Sequence, residues 1–190
     1  MNNLILMSLG LAGSLWTSQA QAQKAVSNWP ITRLDSVASV EMPYEGTVDD
    51  TEAKNGLCSF GTSTSDNNFD VLIYQPHPNQ PAQAGKMWTI NVNKFLALAM
   101  QLPNNNFARP KLKTSFYVTV PTAPEGRAMH QVYSGFDEVH QSPATLELTW
   151  VLVGQKLYVF RCSYQLPAEQ GSTEDMQHFF TTIHFKLPRP

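Results

Sequence analysis

The sequence predicts an α+β fold in which a mainly antiparallel, twisted sheet of about six to seven strands is flanked by helices, in an α/β/α sandwich. One observation is a long hairpin at positions 146–164, whose strands carry apolar residues on both sides, as central strands of a covered sheet do. The other is a pair of segments with the period of amphipathic helices, one mid-chain and one near the end. The 190 residues, 42% hydrophobic and 15% charged, are enough for one domain with a core.

The first 22 residues predict a secretory signal peptide. Leu4–Leu15 is largely apolar, and the tripeptide AQA at positions 20–22 is a small-x-small cleavage pattern. The run is shorter than the roughly 20 residues that span a bilayer, and no Lys or Arg precedes it. We therefore expect cleavage near Ala22, a single domain at 23–190, and a secreted or periplasmic protein without stable membrane insertion. An uncleaved interfacial anchor is the alternative.

Three strands are predicted in the first half of the domain. Ser36–Met42 alternates apolar and polar residues and stops at Pro43, and Gly56–Thr62 and Phe69–Tyr74 follow it. A polar, acidic connection and a turn separate them. Because the three strands are consecutive, we expect them to form an antiparallel meander.

A proline-rich segment, Gln75–Lys86, follows and predicts an exposed loop. The mid-chain helix comes next, with Asn91 or Asn93 as its N-cap and Pro103 after its end. Its apolar positions recur at i, i+3, i+4 and i+7, which predicts a core-facing stripe: Phe95, Leu98, Ala99 and Leu102.

The second half contains the remaining strands and a final helix. Lys111–Val120 and Gly126–Ser134 read as strands. In the hairpin, a two-residue turn at 154–155 would place Leu152 opposite Leu157 and Trp150 opposite Val159. The final helix is predicted to start at Ser172 or Thr173, with Asp175 completing a variant capping box. Its apolar side would consist of Met176, Phe179, Phe180 and Ile183.

The chain has two cysteines, Cys58 and Cys162, and both fall inside predicted strands. If the chain is exported to an oxidising compartment, an even pair of this kind is a disulfide candidate. Two buried, unpaired thiols in neighbouring strands are the alternative.

Arg161 is the polar residue of the hairpin that raises a functional question. By strand parity it shares a face with Leu157 and Val159 and lies opposite Leu148. It is either a rim residue, with its stem on apolar surface and its guanidinium in water, or a buried anchor for a ligand or partner. It is a binding candidate on the second interpretation.

The sequence carries no strong catalytic or cofactor motif. The net charge of −2 and the scattered cations argue against nucleic-acid binding. Phosphate-cradling glycine patterns, a nucleophile elbow and closely spaced His or Cys pairs are missing, so we expect no catalytic constellation, no cofactor and no metal. A hydrolase with a dispersed site remains an alternative, using His130 or His140 with an acidic neighbour.

The order of elements resembles the PsbP-like and Mog-like α/β/α sandwich family, and DcrB-like secreted proteins are similar. The resemblance rests on the early strand ending in Glu41-Met42-Pro43, the mid-chain helix, the aromatic hairpin and the short helix ending in FFTTIHF. It implies a non-catalytic binding module, assembly factor or accessory subunit, and carries over no site residue. We therefore expect a binding or accessory module for a protein or small ligand, with the hydrolase and a cell-envelope assembly factor as alternatives.

Overall fold

The computed structural model describes residues 28–50, 53, 56–75, 107–123, 127–154 and 156–186. Within those ranges the chain forms ten strands and one helix. In chain order they are β1 (Ile31–Arg33), β2 (Ala38–Glu41), β3 (Thr47–Asp49), β4 (Leu57–Ser63), β5 (Asn67–Tyr74), β6 (Phe107–Thr119), β7 (Arg127–Asp137), β8 (Ser142–Val153), β9 (Lys156–Gln165), α1 (Gln170–Thr181) and β10 (His184–Phe185).

Seven strands form one antiparallel sheet in the order β3-β4-β5-β9-β8-β7-β6. The β8–β9 hairpin therefore occupies the middle of the sheet, as its apolar faces predict. Its register is the predicted one, with Leu152 opposite Leu157 and Trp150 opposite Val159. Gly154 in the turn has φ +60°, a left-handed conformation that glycine adopts without strain.

The first predicted strand does not belong to this sheet. Instead β2 pairs with β1 and β10 in a separate three-stranded sheet, so the predicted meander holds only for β4 and β5. The reason is packing: Ala38 and Val40 of β2 are buried in the core on one face of the large sheet. A strand whose apolar side lies on top of a sheet cannot also extend its edge.

The core occupies both faces of the central strands, which confirms the predicted α+β sandwich. On one face α1 and the small sheet pack over Phe69, Phe160 and Cys162. On the other face Leu148 and Val159 are also buried. The mid-chain helix predicted from Asn91 or Asn93 to Leu102, the Gln75–Lys86 loop beyond Gln75, and the signal peptide lie outside the described residues.

The start of α1 differs from the prediction. The helix begins at Gln170, its N-cap is Glu169, and no side chain caps it. Ser172 is buried inside the first turn, where its hydroxyl donates to Oδ1 of Asn67 and its carbonyl accepts from Nδ2 of Asn67 at 2.9 Å. The Ser172 hydroxyl, which the local sequence predicts to cap the helix, forms a tertiary hydrogen bond to β5 instead.

Cys58 and Cys162 do not form the predicted disulfide; both are free thiols. They lie on β4 and β9, which are separated by β5. Across the sheet Cys58 is level with Tyr158 of β9, and Tyr158 is four residues before Cys162. Strand and residue spacings put them on the order of 16 Å apart, whereas the Cα atoms of a disulfide lie within about 7 Å.

Arg161 is a core residue, so the rim interpretation is wrong. It is 2% exposed, and its Nε and Nη2 donate to Oδ2 of Asp70 at 3.2 and 2.9 Å. Asp70 is its neighbour across the β5–β9 pair, and Leu148 lies opposite it on β8, as predicted. The partner that a buried guanidinium requires is therefore supplied by the sheet itself.

Candidate functional site

An open groove of about 640 Å³ lies between α1 and the face of the sheet formed by β6, β7 and β8. Its walls are mostly apolar. Three of its polar side chains, His130, Glu147 and Thr149, lie on β7 and β8, and the others lie on β6 and α1. The residues that line it are Phe116, Val118, Thr119, Val120, Pro121, His130, Glu147, Thr149, Met176, Gln177, Phe180, Thr181 and Ile183.

Strand alternation places the polar groups of the groove on one face. His130 of β7 lies directly opposite Thr149 of β8, and Glu147 lies two residues further along β8 on the same side. Tyr164 of β9 is diagonal to Glu147, since Glu147 pairs with Cys162. Four residues from three neighbouring strands therefore project together toward α1.

These four side chains form one continuous row of hydrogen bonds. The distance from Nδ1 of His130 to Oγ1 of Thr149 is 2.8 Å, and that from Nε2 of His130 to Oε2 of Glu147 is 3.1 Å. The Tyr164 hydroxyl donates to Oε1 of Glu147 at 2.8 Å. With Nε2 of a neutral imidazole donating to the carboxylate, Nδ1 accepts from the Thr149 hydroxyl, and every member of the row has a partner.

The hydrogen-bonded row also shifts the pKa values of Glu147 and Tyr164. Burial raises the pKa of Glu147, but the hydrogen bonds from His130 and Tyr164 outweigh burial, so the net pKa falls below its ordinary value of 4.5. Burial, and then the neighbouring Glu147 carboxylate, raise the pKa of Tyr164 above its ordinary value of 10. Glu147 is therefore ionised and Tyr164 protonated near neutral pH.

Aromatic rings hold His130 from two sides. The ring centroids of Phe116 and Phe180 each lie 5.2 Å from that of His130, and Phe180 meets it edge-on at 85°. His130 is consequently only 9% exposed although it lines the groove. Phe116, on the outer strand, remains 48% exposed and forms one side of the groove opening.

Two other histidines, His140 and His178, lie away from the groove. His140 contacts Asp137 at 2.8 Å, but this pair lies at the exposed β7–β8 turn, away from the groove. His178 of α1 contacts Glu41 of β2 at 2.8 Å and anchors the helix to the small sheet. Of the two histidines named as hydrolase candidates, the structure brings only His130 into a groove with a carboxylate.

The sequence did not single out Glu147 and Tyr164. Strand alternation in the sequence could have pointed to Glu147. Glu147 and Thr149 share a strand face with the buried Val151, and polar side chains on a buried face need hydrogen-bond partners. The β7–β8 register, which brings His130 to Thr149, was not predicted.

Within the described ranges, no group of three His, Cys, Asp or Glu side chains is arranged to hold a metal ion. Cys162 lies beneath α1, and burial, followed by the Glu147, Asp70 and Asp175 carboxylates, raises the pKa of its thiol well above the ordinary value of 9.0. A thiol that stays protonated is a poor ligand and a poor nucleophile.

The comparison with known proteins bears on the fold. No protein-family model and no curated protein matches the chain. Among solved structures, cyanobacterial PsbP from Synechocystis matches with a TM-score of 0.51 and 10% identity, covering 86% of this chain and 96% of that one. The chain has a PsbP-like fold. This confirms the resemblance predicted from the order of elements.

Two further solved structures overlap less closely. PA94 from Pseudomonas aeruginosa, a protein of unknown function, has a TM-score of 0.42 and 14% identity, with 85% of this chain and 98% of that chain covered. The Ran-binding protein Mog1p of Saccharomyces cerevisiae has a TM-score of 0.43 and 10% identity, with coverage of 83% and 95%. At such identities the likeness concerns the fold alone.

In the part of the chain that the structure describes, no helix has the length and hydrophobicity needed to cross a membrane.

Proposed function

We propose that the protein is an exported, non-catalytic binding module of PsbP-like fold whose groove between α1 and β6–β8 receives an apolar group of a ligand or partner. The observation that carries this proposal is the open groove of about 640 Å³, which is within the volume range of ligand sites. Its walls are mostly apolar, and His130, Thr149 and Glu147 on its floor hydrogen-bond to one another.

The polar row favours an apolar occupant. The Glu147 carboxylate accepts from His130 and Tyr164, and both nitrogens of His130 are engaged. With every N–H and O–H of the row already donated, a ligand carbonyl or carboxylate would have to break one of these bonds to be accepted there. An apolar group leaves them intact and gains roughly 25 cal/mol for each Å² of apolar surface it buries.

A hydrolase is the second candidate, and a specific observation favours it. Thr149, His130 and Glu147 are hydrogen-bonded in the order nucleophile, base and orienting acid. The binding function is favoured because Thr149 is only 2% exposed, so a substrate carbonyl cannot approach its hydroxyl without displacing neighbouring side chains. Steady hydrolysis of 4-nitrophenyl acetate that is lost in Thr149→Val would reverse this preference.

Export is part of the proposal and rests on the apolar run Leu4–Leu15 and the small-x-small tripeptide at 20–22. Fractionation of expressing bacterial cells, followed by intact mass measurement, tests it. We expect the periplasmic or secreted protein to begin near Gln23. A full-length species in the cytosol would contradict export while leaving the groove proposal standing.

The binding experiment uses N-phenyl-1-naphthylamine, a neutral apolar probe whose fluorescence rises out of water. We expect saturable binding to the folded protein, weakened about tenfold in Phe116→Ser because a large part of the apolar wall is removed. Tyr117→Ser is the matched control, since Tyr117 is on the same strand, is 71% exposed and does not line the groove. Equal affinity in all three proteins, or no binding, would refute the proposal.

A further inference from the structure

The outer strand of the sheet next to the groove has an accessible edge. β6 is the last strand in the order of the large sheet, and within the described residues it pairs with β7 alone. All residues from Arg109 to Tyr117 are exposed. An edge strand presents a row of backbone N–H and C=O groups that another strand can pair with.

The two halves of β6 differ in how this edge is protected. Positions 107–113 contain Pro110, three cations and two register shifts against β7. Charge, proline and bulges are the devices that stop strands from pairing at an edge. Positions 114–119, TSFYVT, pair with β7 without a shift and carry no charge and no proline. The accessible pairing edge is therefore concentrated in Thr114–Thr119.

The accessible half of β6 also borders the groove. Phe116 and Val118 line the groove, whereas Tyr117 points to the other side of the sheet. Alternate side chains of a strand added beside Thr114–Thr119 would therefore lie on the groove side, next to Phe116 and Val118.

We propose that the edge of β6 binds an extended polypeptide segment of a partner protein as an additional antiparallel strand, apolar in its N-terminal half and acidic in its C-terminal half. The inference rests on the proposed function and names its partner class. The apolar half would pair with Thr114–Thr119 and place side chains over the groove. The acidic half would extend beyond the paired stretch, without strand pairing, and lie near the cations Lys113, Lys111 and Arg109.

Charge favours a foreign segment over a second copy of β6. β6 contains three cations and no acidic residue. In an antiparallel pair of two β6 strands, the cationic half of each copy would lie along the uncharged half of the other, so none of the cations would be neutralised. An acidic segment neutralises them, and antiparallel pairing fixes which half of the partner is acidic.

The test uses the synthetic peptide TVIVTVESED and the ¹⁵N-labelled protein. NMR titration with up to about 1 mM peptide detects weak binding and shows which residues of the protein are affected. We expect the amide signals of Thr114–Thr119 to shift, and the affinity to fall about tenfold in the double variant Lys111→Glu, Lys113→Glu. The peptide TVIVTVKSKK, in which the acids are replaced by lysine, should bind that double variant better than the original protein.

Lys186→Glu, an exposed cation beside β10, is the control and should leave the affinity unchanged. Absence of shifts, shifts confined to other strands, or an affinity unaffected by the double variant would overturn the inference. Concentration-dependent shifts of the same amides without peptide would assign the edge to a second copy instead and overturn it as well. In each case binding of N-phenyl-1-naphthylamine in the groove is measured separately, so failure of the strand inference does not count as failure of the groove proposal.

Discussion

Arg161 and Asp70 form a buried ion pair on the face of the sheet opposite α1. The guanidinium is 2% exposed and donates twice to one carboxylate oxygen. Withdrawing two charges from water is costly, and their attraction only offsets that cost when geometry is good. The pair therefore specifies the β5–β9 register more than it adds stability, because a shifted register would bury Arg161 away from Asp70.

Asp70→Asn should destabilise the fold strongly, by about 3 kcal/mol, because the carboxylate that neutralises Arg161 is removed. The double variant Asp70→Leu, Arg161→Met should recover most of that loss, since it buries apolar groups instead. Urea unfolding measures both. Asp137→Asn, which breaks the exposed pair with His140, is the control and should cost less than about 1 kcal/mol. Similar losses for the buried and exposed pairs would contradict the account.

Glu147 gives the fold a predictable acid sensitivity. Because its folded pKa is lowered, its contribution to stability is complete above its unfolded value of 4.5 and is lost as the pH falls through the folded pKa. Glu147→Gln should therefore be less stable than the original chain at neutral pH, and the difference should shrink on acidification below about pH 4.5.

Urea unfolding from about pH 3 to pH 7 checks this dependence, since that range covers the titration of carboxyl groups. Glu45→Gln, at an exposed carboxylate, serves as the control and should show little difference at any pH. A stability difference for Glu147→Gln that stayed constant with pH would show that the hydrogen bonds of Glu147 do not favour its ionised form.

At the scale of elements, α1 depends on β5 for its position. Asn67, 1% exposed, hydrogen-bonds to the carbonyl and the hydroxyl of Ser172 in the first turn of the helix. At the other end, His178 contacts Glu41 and the backbone N–H of Glu41 donates to the Thr182 hydroxyl. The helix that walls the groove is thus attached to both sheets by polar contacts as well as by Phe179 in the core.

Asn67→Ala should cost about 2 kcal/mol, because Ser172 is left buried with neither side-chain partner. The loss should appear locally, as faster hydrogen exchange in α1, and as weaker binding of the apolar probe. Asn68→Ala, one residue along the same strand and only half-buried, is the matched control. Unchanged exchange in α1 for Asn67→Ala would contradict the role of this contact in docking the helix.

The elements differ in how far local sequence predicted them. The register of the β8–β9 hairpin was predictable because its turn length fixes it, although β8 begins at Ser142, four residues before the predicted start. The start of α1 was not, since the partner of Ser172 is Asn67, 105 residues earlier in the chain. The assignment of β2 to a second sheet was equally out of reach, because its apolar alternation suits either an edge strand or a covering layer.

For the molecule as a whole, the two faces of the large sheet have different roles. One face carries α1, the small sheet and the groove, whereas the other carries the Arg161–Asp70 pair and a separate apolar cluster around Leu148 and Val159. Parity predicted which hairpin residues share each face. It could not predict the groove, which depends on how far α1 stands from β6 and β7. The proposed binding function rests on that spacing.

The most direct test of the groove as a binding site is methyl NMR of the protein labelled with ¹³C at its methionine methyl groups. Met176 of α1 lines the groove, whereas Met129, next to His130 on β7, lies on the opposite face of the sheet and contacts the Ser115 hydroxyl. Adding N-phenyl-1-naphthylamine should shift the Met176 methyl signal, identified by its loss in Met176→Leu, and leave that of Met129 in place. A shift at Met129 with none at Met176 would place the apolar site elsewhere and contradict the proposal.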